Sequence, residues 1–265
     1  MILPFALLGA SAIRAHLDSA ANARSKSDRS PVTDADLASH AAIDGALRQQ
    51  DPRTPVVSEE APLPECVPDS FYLLDPLDGT SEFIRGSGEF AVSLGKIVGG
   101  KAQEGALVAP LLGWVAWGEV DHGAFAVRLD PQLLAVSSWK EALALAETCR
   151  EQAESLVLAV SPDDWKPSAV LCSYSHKDSA TEAHLQSLEP IRRLTVGACL
   201  KFLWLAQGKG DYYPRHKSLH EWDIAGGHAL LKAAGGNLFR FGTREELTYG
   251  NPGFVAPEFE ALPFT

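Results

Sequence analysis

The sequence predicts an α/β protein in two halves, an α+β half over residues 1–130 and an α/β half over residues 131–265. Strand-like segments surround a Gly99-Gly100 hairpin signal in the first half, which is typical of antiparallel pairing. The second half alternates strand-like and helix-like segments, which indicates a sheet covered by helices on both faces. No linker-like segment separates the halves, so we expect them to pack as one globular unit.

The first half is predicted to begin with a helix from Met1 toward Ser19. Thr33, with Asp36 three residues later, has the spacing of a capping box, so a second helix is expected to start there and to continue to about Gln49. Short apolar and β-branched runs between turn signals then predict strands. These strands are 55–58, 71–75, a segment from Ala91 to the Gly99-Gly100 hairpin, 106–109 and 114–120.

In the second half, residues 132–148 are only loosely patterned and predict no particular element. Beyond them, short apolar runs alternate with longer helical segments. The last helix is expected to stop at Gly235, because glycine readily adopts the positive φ that ends many helices. The predicted strands are 156–161, 170–174, 192–196 and 211–213; the predicted helices are 179–188, 198–207 and 222–234; and 162–167 is predicted as a loop.

Composition and charge narrow the function classes. A formal net charge of −11 argues against a protein that binds nucleic-acid polymers, since such surfaces need an excess of lysine and arginine. No stretch approaches about 18 uninterrupted apolar residues, so no transmembrane span is expected. The apolar start, Met1–Ala10, is short and lacks a basic flank, which argues against a secretory signal. We expect a cytoplasmic enzyme, with peripheral association with the inner membrane as an open alternative.

The most informative segment is 73–80, Leu-Leu-Asp-Pro-Leu-Asp-Gly-Thr. It follows an apolar strand-like run and sets Asp75 and Asp78 three residues apart, on what the proline and glycine predict to be a tight turn. Two carboxylates so placed can share divalent cations, and Gly79 with the Thr80 amide leaves room for a phosphate to approach the backbone. Taken alone, the segment is equally compatible with an ordinary turn.

Two further acidic segments accompany this one. Glu59 and Glu60 follow a short β-branched run, and Asp223 lies at the start of the last predicted helix. The pair Gly235-Gly236 comes after eleven intervening residues. Mg²⁺ and similar cations prefer oxygen ligands, so acids just past strands and at a helix start can complete a cation site.

Together these segments resemble the signature of the lithium-sensitive phosphatase superfamily, which includes inositol monophosphatases, fructose-1,6-bisphosphatases and 3'(2'),5'-bisphosphate nucleotidases. Within it, the chain is most similar to the CysQ-type 3'(2'),5'-bisphosphate nucleotidases over nearly its whole length. The segments that carry this likeness are 26–36, 79–84, 88–90, 200–202, 213–215 and 251–254. The chain departs from the subgroup at Ser81, at 197–199 and at 216–219, which leaves the identity of the leaving group open.

The resemblance implies a layered αβαβα sandwich of the lithium-sensitive sugar-phosphatase type. It also implies hydrolysis of a phosphate monoester by metal-activated water, with two or three Mg²⁺ ions. Asp75 would be the bridging ligand, and Glu59, Asp78, Asp223 and the Leu77 carbonyl would complete the metal site.

The same resemblance implies roles around the substrate. Thr80 would donate its backbone N–H to phosphate, and its hydroxyl, oriented by Asp36, would align the attacking water; a turn hydroxyl and a simple helix cap are the plainer alternatives. Lys201 and Arg215 are candidates for a second phosphate, because a bisphosphate needs positive charge beyond the metals, although each could be a surface cation. The predicted catalytic residues are Asp36, Glu59 and Thr80, and the predicted substrate-binding residues are Gly79, Thr80, Ser81, Lys201 and Arg215.

Adenosine 3',5'-bisphosphate, cleaved to AMP and phosphate, is the expected small-molecule substrate. An inositol-phosphate or sugar-phosphate phosphatase is the alternative. A degenerate fold that only senses phosphate or binds a partner is disfavoured, because all the predicted metal ligands and Thr80 are present. Carboxylate-rich ligation favours Mg²⁺ over metal binding by His216, His220 or His228. Glu60 is expected to lie farther from the metals than Glu59 and not to bind them directly, since adjacent strand residues face opposite ways. The sequence leaves monomer and homodimer open.

Overall fold

The computed structural model describes residues 2–26, 31–158, 165–174, 178–188, 191–217 and 219–265. Residues 162–164 of the predicted loop 162–167 lie outside the described residues, and so does the end of the predicted strand 156–161. Residues 27–30 of the first nucleotidase-like segment also lie outside them. None of the helices in the described part of the chain is long and apolar enough to cross a bilayer.

The described residues form helices and strands in the following order. The helices are α1 (Leu3–Ala15), α2 (Asp34–Gln50), α3 (Thr80–Ile84), α4 (Trp139–Gln152), α5 (Ser179–Ser187), α6 (Leu200–Ala206) and α7 (Trp222–Ala233). The strands are β1 (Arg24–Ser25), β2 (Pro31–Val32), β3 (Val56–Ser58), β4 (Ser70–Asp78), β5 (Ala91–Val98), β6 (Lys101–Ala109), β7 (Trp114–Glu119), β8 (Gly123–Arg128), β9 (Glu154–Leu156), β10 (Ala169–Cys172), β11 (Arg192–Thr195), β12 (Tyr213–Arg215), β13 (Asn237–Arg240) and β14 (Phe259–Leu262).

A seven-stranded sheet, ordered β3-β4-β5-β6-β7-β8-β9, separates two hydrophobic cores. Only the β3–β4 pair is parallel among these neighbours. In β4, Phe71 and Leu73 enter the core formed with α6 and α7, whereas Tyr72 and Leu74 enter the core formed with α1, α2 and α4. One strand feeds both cores because successive side chains point to opposite faces.

A second sheet lies beyond α6 and α7. It consists of β12-β14-β13, and a bridge between Val170 and Tyr212 joins it to the parallel pair β10–β11. Leu185 of α5 packs with Val170 and Tyr212 on its outer side, and Phe259 packs with Phe202 of α6 on its inner side. The layers therefore follow the order αβαβα, which confirms the predicted sandwich.

The loosely patterned stretch 132–148 contains most of a helix, α4, that the sequence analysis missed. Ser138 caps this helix by accepting the Glu141 N–H at 3.3 Å. Its buried face has small side chains, which make a weak apolar pattern. They are Ala142, Ala146 and Cys149. Strands β13 and β14 were missed as well, because each has four residues and depends on pairing with a distant partner.

Small residues let α7 lie close to the first sheet. A Cβ on Gly105 of β6 would lie 2.2 Å from the Gly226 carbonyl oxygen of the helix, so no larger residue fits without a shift. The Ser93 hydroxyl of β5 donates to the Trp222 carbonyl oxygen at 3.2 Å and ties the first turn of α7 to the sheet. This packing brings Asp223, in that first turn, to the carboxyl end of β4.

Candidate active site

The end of β4 carries two of the predicted metal ligands, Asp75 and Asp78. The strand continues through both residues, so the tight turn predicted there is wrong. Asp75 pairs with Ser93 of β5 and Asp78 with Ala91, which leaves one extra residue on β4 as a β-bulge. Pro76 lies in this bulge, where its missing N–H costs the sheet no hydrogen bond. Both carboxylates line the same cleft.

Gly79 turns the chain from this strand into α3. Its φ of 94° lies in the left-handed region that glycine adopts at little cost. A Cβ at this position would also approach the Ala198 Cβ to 3.1 Å and the Glu89 carbonyl oxygen to 3.2 Å. Helix α3 then starts at Thr80, so the Thr80 amide and hydroxyl come directly after the two aspartates.

Three carboxylates from separate segments converge at this point. Glu59 follows β3, Asp75 lies in β4, and Asp223 lies in the first turn of α7; one oxygen of each lies within 4.8 Å of the others. Asp78 lies beside them, and its Oδ2 accepts the Cys199 N–H at 2.5 Å. The four carboxylates predicted as metal ligands thus meet in the folded chain.

Burial and mutual repulsion raise the pKa values of the three aspartates in this cluster. Burial is the main reason that the pKa values of Asp75 and Asp223 lie well above the ordinary range, and the neighbouring carboxylates add to it. Burial raises the pKa of Asp78 to about 6, although Lys201 and the Cys199 N–H favour its charged form. Closely spaced carboxylates in a buried place fit hard divalent cations, which would offset this repulsion.

Lys26 already supplies a positive charge at the edge of the cluster. Its ammonium donates to Glu59 Oε1 at 2.6 Å and to Glu60 Oε1 at 2.5 Å. Burial opposes the charge of Lys26, but the two carboxylates outweigh burial and raise its pKa. Burial also raises the pKa of Glu60, against the opposing effect of Lys26. Both glutamates lie past the end of β3, in a turn where strand alternation no longer holds, and the same ammonium contacts both.

Asp36 and Thr80 make the contact that the sequence analysis expected. The Thr80 hydroxyl lies 3.0 Å from Asp36 Oδ1 and 3.3 Å from the Leu77 carbonyl oxygen, its longer alternative acceptor. Asp36 Oδ2 accepts the Thr33 N–H at 2.7 Å and the Thr33 hydroxyl at 2.6 Å, so the predicted capping box is also present. Burial raises the pKa of Asp36, and these hydrogen bonds oppose that rise. Asp36 therefore caps α2 and anchors Thr80 at once.

A cleft of about 760 Å³ opens over these groups. Asp36 is the one predicted site residue that does not line it, because Asp36 is buried and reaches the cleft through Thr80. The predicted residues in the cleft wall are Glu59, Asp75, Leu77, Asp78, Gly79, Thr80, Ser81, Lys201, Arg215 and Asp223.

Lys201 and Arg215 are buried parts of the cleft wall and not the surface cations that the sequence had left open. The Lys201 ammonium donates to the Ala198 carbonyl oxygen at 2.6 Å. Burial lowers the pKa of Lys201, and nearby Asp78 opposes this. Arg215 Nη1 donates to Ser173 Oγ at 3.4 Å. Buried cations at the wall of an acidic cleft are suited to an anionic ligand.

Several other lining residues were not predicted as site residues from the sequence. The His220 ring stacks on the Trp222 ring, with 4.4 Å between ring centres and 9° between planes. The backbone N–H of His220 donates to Asp223 Oδ2 at 2.9 Å. Lys26 had a signal in the sequence, since it belongs to a nucleotidase-like segment, and so had Trp222, which directly precedes Asp223 in the phosphatase-like signature. The residues missed are Lys26, Ser173, Tyr174, Lys217, His220 and Trp222.

Comparison with known proteins agrees with this geometry. The model of the inositol monophosphatase family matches residues 6–262. The 3'(2'),5'-bisphosphate nucleotidase CysQ of Escherichia coli K12 is 35% identical over 240 residues, covering 87% of this chain and 86% of that protein. CysQ of Salmonella typhimurium LT2 is 35% identical over 239 residues, covering 86% of each chain.

Solved structures show the same architecture. The crystal structure of CysQ from Bacteroides thetaiotaomicron has a TM-score of 0.81 at 26% identity, covering 100% of this chain and 96% of that one. An IMPase from Thermotoga maritima has a TM-score of 0.74 at 19% identity, covering 98% of this chain and 90% of that one, and so supports the fold alone.

Proposed function

The chain belongs to the inositol monophosphatase family, and we propose that it is a magnesium-dependent 3'(2'),5'-bisphosphate nucleotidase, a phosphomonoester hydrolase that converts adenosine 3',5'-bisphosphate to AMP and phosphate. The observation that carries this proposal is the convergence of Glu59, Asp75 and Asp223 in one cleft with Thr80, whose hydroxyl donates to the buried Asp36. The 35% identity to the CysQ nucleotidases supports this substrate.

The carboxylates of the cluster would hold two or three Mg²⁺ ions. The buried Asp75, together with Glu59, Asp78, Asp223 and the Leu77 carbonyl, would hold these ions. Bound Mg²⁺ would neutralise phosphate charge and lower the pKa of the attacking water. The raised pKa values of Asp75 and Asp223 support this role, because each carboxylate is costly to keep charged without a nearby cation.

The chain's own groups would position the water and the phosphate. Because the Thr80 hydroxyl donates its proton to Asp36, its oxygen is left to accept a hydrogen bond from the attacking water. The backbone N–H groups at Gly79, Thr80 and Ser81 would face the phosphate oxygens. Glu59, at the half-buried edge, would hold the water against the cluster. Phosphoryl transfer requires mainly such positioning and neutralisation of charge.

Lys201 and Arg215 would hold the second phosphate of the substrate. Both are buried in the wall of the cleft, so an anion that reaches them gains charge-assisted hydrogen bonds in a place with little competing water. A guanidinium such as that of Arg215 can bind two phosphate oxygens at once. A cytoplasmic location and a monomeric or homodimeric state remain predictions.

The proposal is tested by the release of phosphate from adenosine 3',5'-bisphosphate, inositol 1-phosphate and fructose 1,6-bisphosphate, measured side by side with Mg²⁺. We expect the nucleotide to have the highest kcat/KM, chelation to abolish activity and added Mg²⁺ to restore it. Preference for inositol 1-phosphate or fructose 1,6-bisphosphate would instead assign the chain to the inositol-phosphate or sugar-phosphate phosphatases. Absence of turnover on all three substrates with Mg²⁺ would contradict the enzymatic function.

Inhibition by Li⁺ is a further expectation of this proposal. Li⁺ would occupy a weakly held Mg²⁺ position among Asp75, Asp78 and Asp223 and obstruct water attack or product release. Phosphate release from the preferred substrate is measured with LiCl, NaCl and KCl at equal ionic strength. The three salts acting alike would show that the metal geometry differs from the proposed one.

A further inference from the structure

Tyr174 presents an exposed ring to the active-site cleft. Phenyl, phenol and indole rings of four residues line the cleft within the described part of the chain. Phe202, Tyr213 and Trp222 are buried, whereas Tyr174 is 62% exposed. Leu63, also in the cleft wall, adds a second exposed apolar side chain. Apolar surface exposed to water is unfavourable unless something covers it, so a ligand with an apolar part gains by binding here.

One face of the Tyr174 ring is already supported. The Arg85 guanidinium lies over it, 5.3 Å from the ring centre. Arg85 Nη2 donates to Glu82 Oε1 at 2.7 Å, and Glu82 is buried. A cation over an aromatic face is an attractive contact that orients the ring. Because Arg85 covers one face of a ring that is mostly exposed, the opposite face is accessible.

Neighbouring residues connect the Tyr174 ring to both proposed phosphate positions. Ser173, directly before Tyr174, accepts a hydrogen bond from Arg215, the proposed contact of the second phosphate. Arg85 directly follows α3, whose first residue, Thr80, lies at the carboxylate cluster. The ring thus lies along the cleft wall between Arg215 and the segment that leads away from the cluster.

We propose that the Tyr174 ring is the surface on which the nucleobase of the substrate stacks, and that it favours nucleoside bisphosphates over inositol and sugar phosphates. This inference rests on the proposed nucleotidase function, which puts one phosphate at the carboxylate cluster and the other at Arg215, the contact of the residue next to Tyr174. Every base has a flat π face, so stacking on an aromatic side chain tolerates different bases. The ring therefore selects a nucleoside as a class.

The test compares Tyr174→Ala and Tyr174→Phe on adenosine 3',5'-bisphosphate and on its base-free analogue, 1-deoxyribose 3,5-bisphosphate. We expect Tyr174→Ala to lower the ratio of the two kcat/KM values about tenfold, mainly through a higher KM for the nucleotide, a size typical of base–aromatic stacking. Tyr174→Phe keeps the ring and should restore the ratio. Leu133→Ala, which removes an exposed side chain outside this cleft, is the control. An unchanged ratio in Tyr174→Ala would overturn the proposal.

Calorimetric titration with AMP separates this inference from the proposed function. If the wild-type protein cleaves neither bisphosphate but Tyr174→Ala weakens AMP binding about tenfold, the nucleotidase function fails and the stacking site stands. If the wild-type protein cleaves the nucleotide while Tyr174→Ala changes neither its KM nor AMP affinity, the stacking site fails and the nucleotidase function stands.

Discussion

Asp75 is a residue at which function and stability conflict. Its pKa is raised well above the ordinary range, first by burial and then by Glu59, Asp78 and Asp223. A carboxyl whose pKa is higher in the folded than in the unfolded chain destabilises the fold at pH values above both, and protonation or a bound cation removes that cost. The property that would make Asp75 a good metal ligand therefore weakens the protein when no cation is bound.

Asp75→Asn should separate the two effects. Asparagine keeps the volume but removes the charge, so kcat with Mg²⁺ should fall by at least about a hundredfold, as after loss of one preorganised electrostatic group. The Tm in EDTA should rise above that of the wild type. Phosphate release and thermal unfolding measure the two quantities, and Asp69→Asn, at an exposed position, is the matched control. Activity within threefold of the wild type would contradict the role of Asp75.

Arg215→Ala should act selectively on substrates with two phosphates. A charge-assisted hydrogen bond contributes roughly 1.5–3 kcal/mol, so kcat/KM for adenosine 3',5'-bisphosphate should fall roughly ten- to a hundredfold. A substrate with one phosphate, such as inositol 1-phosphate, should lose much less. Steady-state kinetics on both substrates checks this, with the exposed Arg53→Ala as control. Equal losses on both substrates would give Arg215 a structural role, through its contacts with Ser173 and Asp178.

Helix α7 matters to the site because it delivers Asp223 from the far end of the chain. Asp223, in the first turn of α7, is the predicted metal ligand that the helix provides. The close packing of the rest of the helix on the first sheet sets the position of that turn. The contact between Gly105 and Gly226 and the hydrogen bond from Ser93 to Trp222 both support this position.

Gly105→Ala should therefore weaken both the fold and the metal site. The added Cβ would lie 2.2 Å from the Gly226 carbonyl oxygen and 2.9 Å from the Ala229 Cβ, so α7 must shift. We expect a loss of about 1–3 kcal/mol in the free energy of unfolding, the usual cost of overpacking. The Mg²⁺ concentration for half-maximal activity should rise as Asp223 moves. Denaturant unfolding and a Mg²⁺ titration measure these effects.

Gly45→Ala is the matched control for that variant. Gly45 lies within α2, and a Cβ there would meet no heavy atom within 4 Å. Alanine should stabilise the helix by about 0.5–1 kcal/mol because glycine loses more backbone freedom on folding. The same stability change in both variants would show that the close approach of α7 to the sheet is unimportant.

For the molecule as a whole, the carboxylate cluster links stability to pH and Mg²⁺. Asp75, Asp78 and Asp223 have raised pKa values, that of Asp78 to about 6, so the folded protein without cations binds more protons than the unfolded chain in that range. The destabilising effect of Asp78 is therefore full at pH 7.5 and fades as the pH falls through about 6, and protonation of Asp75 and Asp223 acts in the same direction. Bound Mg²⁺ would keep the carboxylates charged and compete with protons.

The rise in Tm that Mg²⁺ produces should accordingly be largest near pH 7.5 and should shrink toward pH 5.5. His228 has the opposite effect on how stability depends on pH. Burial lowers its pKa to about 4, so the stability that its neutral form provides is lost as the pH falls below about 6.5, where the unfolded chain takes up the proton first. His228 bonds to Tyr249 and Asn237, so it should contribute equally with and without Mg²⁺. Thermal unfolding at both pH values, with Mg²⁺ or EDTA, measures the difference. A Mg²⁺ effect independent of pH would contradict the linkage.

Both halves predicted from the sequence contribute strands to the first sheet, although the predicted boundary lies at residue 130. Strand β9, from beyond that boundary, pairs with β8 and completes the sheet. Trp139, at the start of α4, packs on Phe5 of α1 with 4.7 Å between ring centres. The boundary stays a prediction, and the single globular unit expected for the two halves is consistent with these contacts.

Periodicity and caps over short spans of the sequence predicted the order of most elements, and the motifs that carry the family resemblance predicted the layered fold and the residue types of the site. The capping box at Thr33 and Asp36 and the helix stop at Gly235 are such local features. The bulge in β4, the Lys26 bridge between two glutamates and the place of Tyr174 in the cleft were apparent only in the folded chain. These features join residues far apart in the chain, and their distances follow from strand pairing and from the packing of α7 on the sheet, which no local pattern encodes.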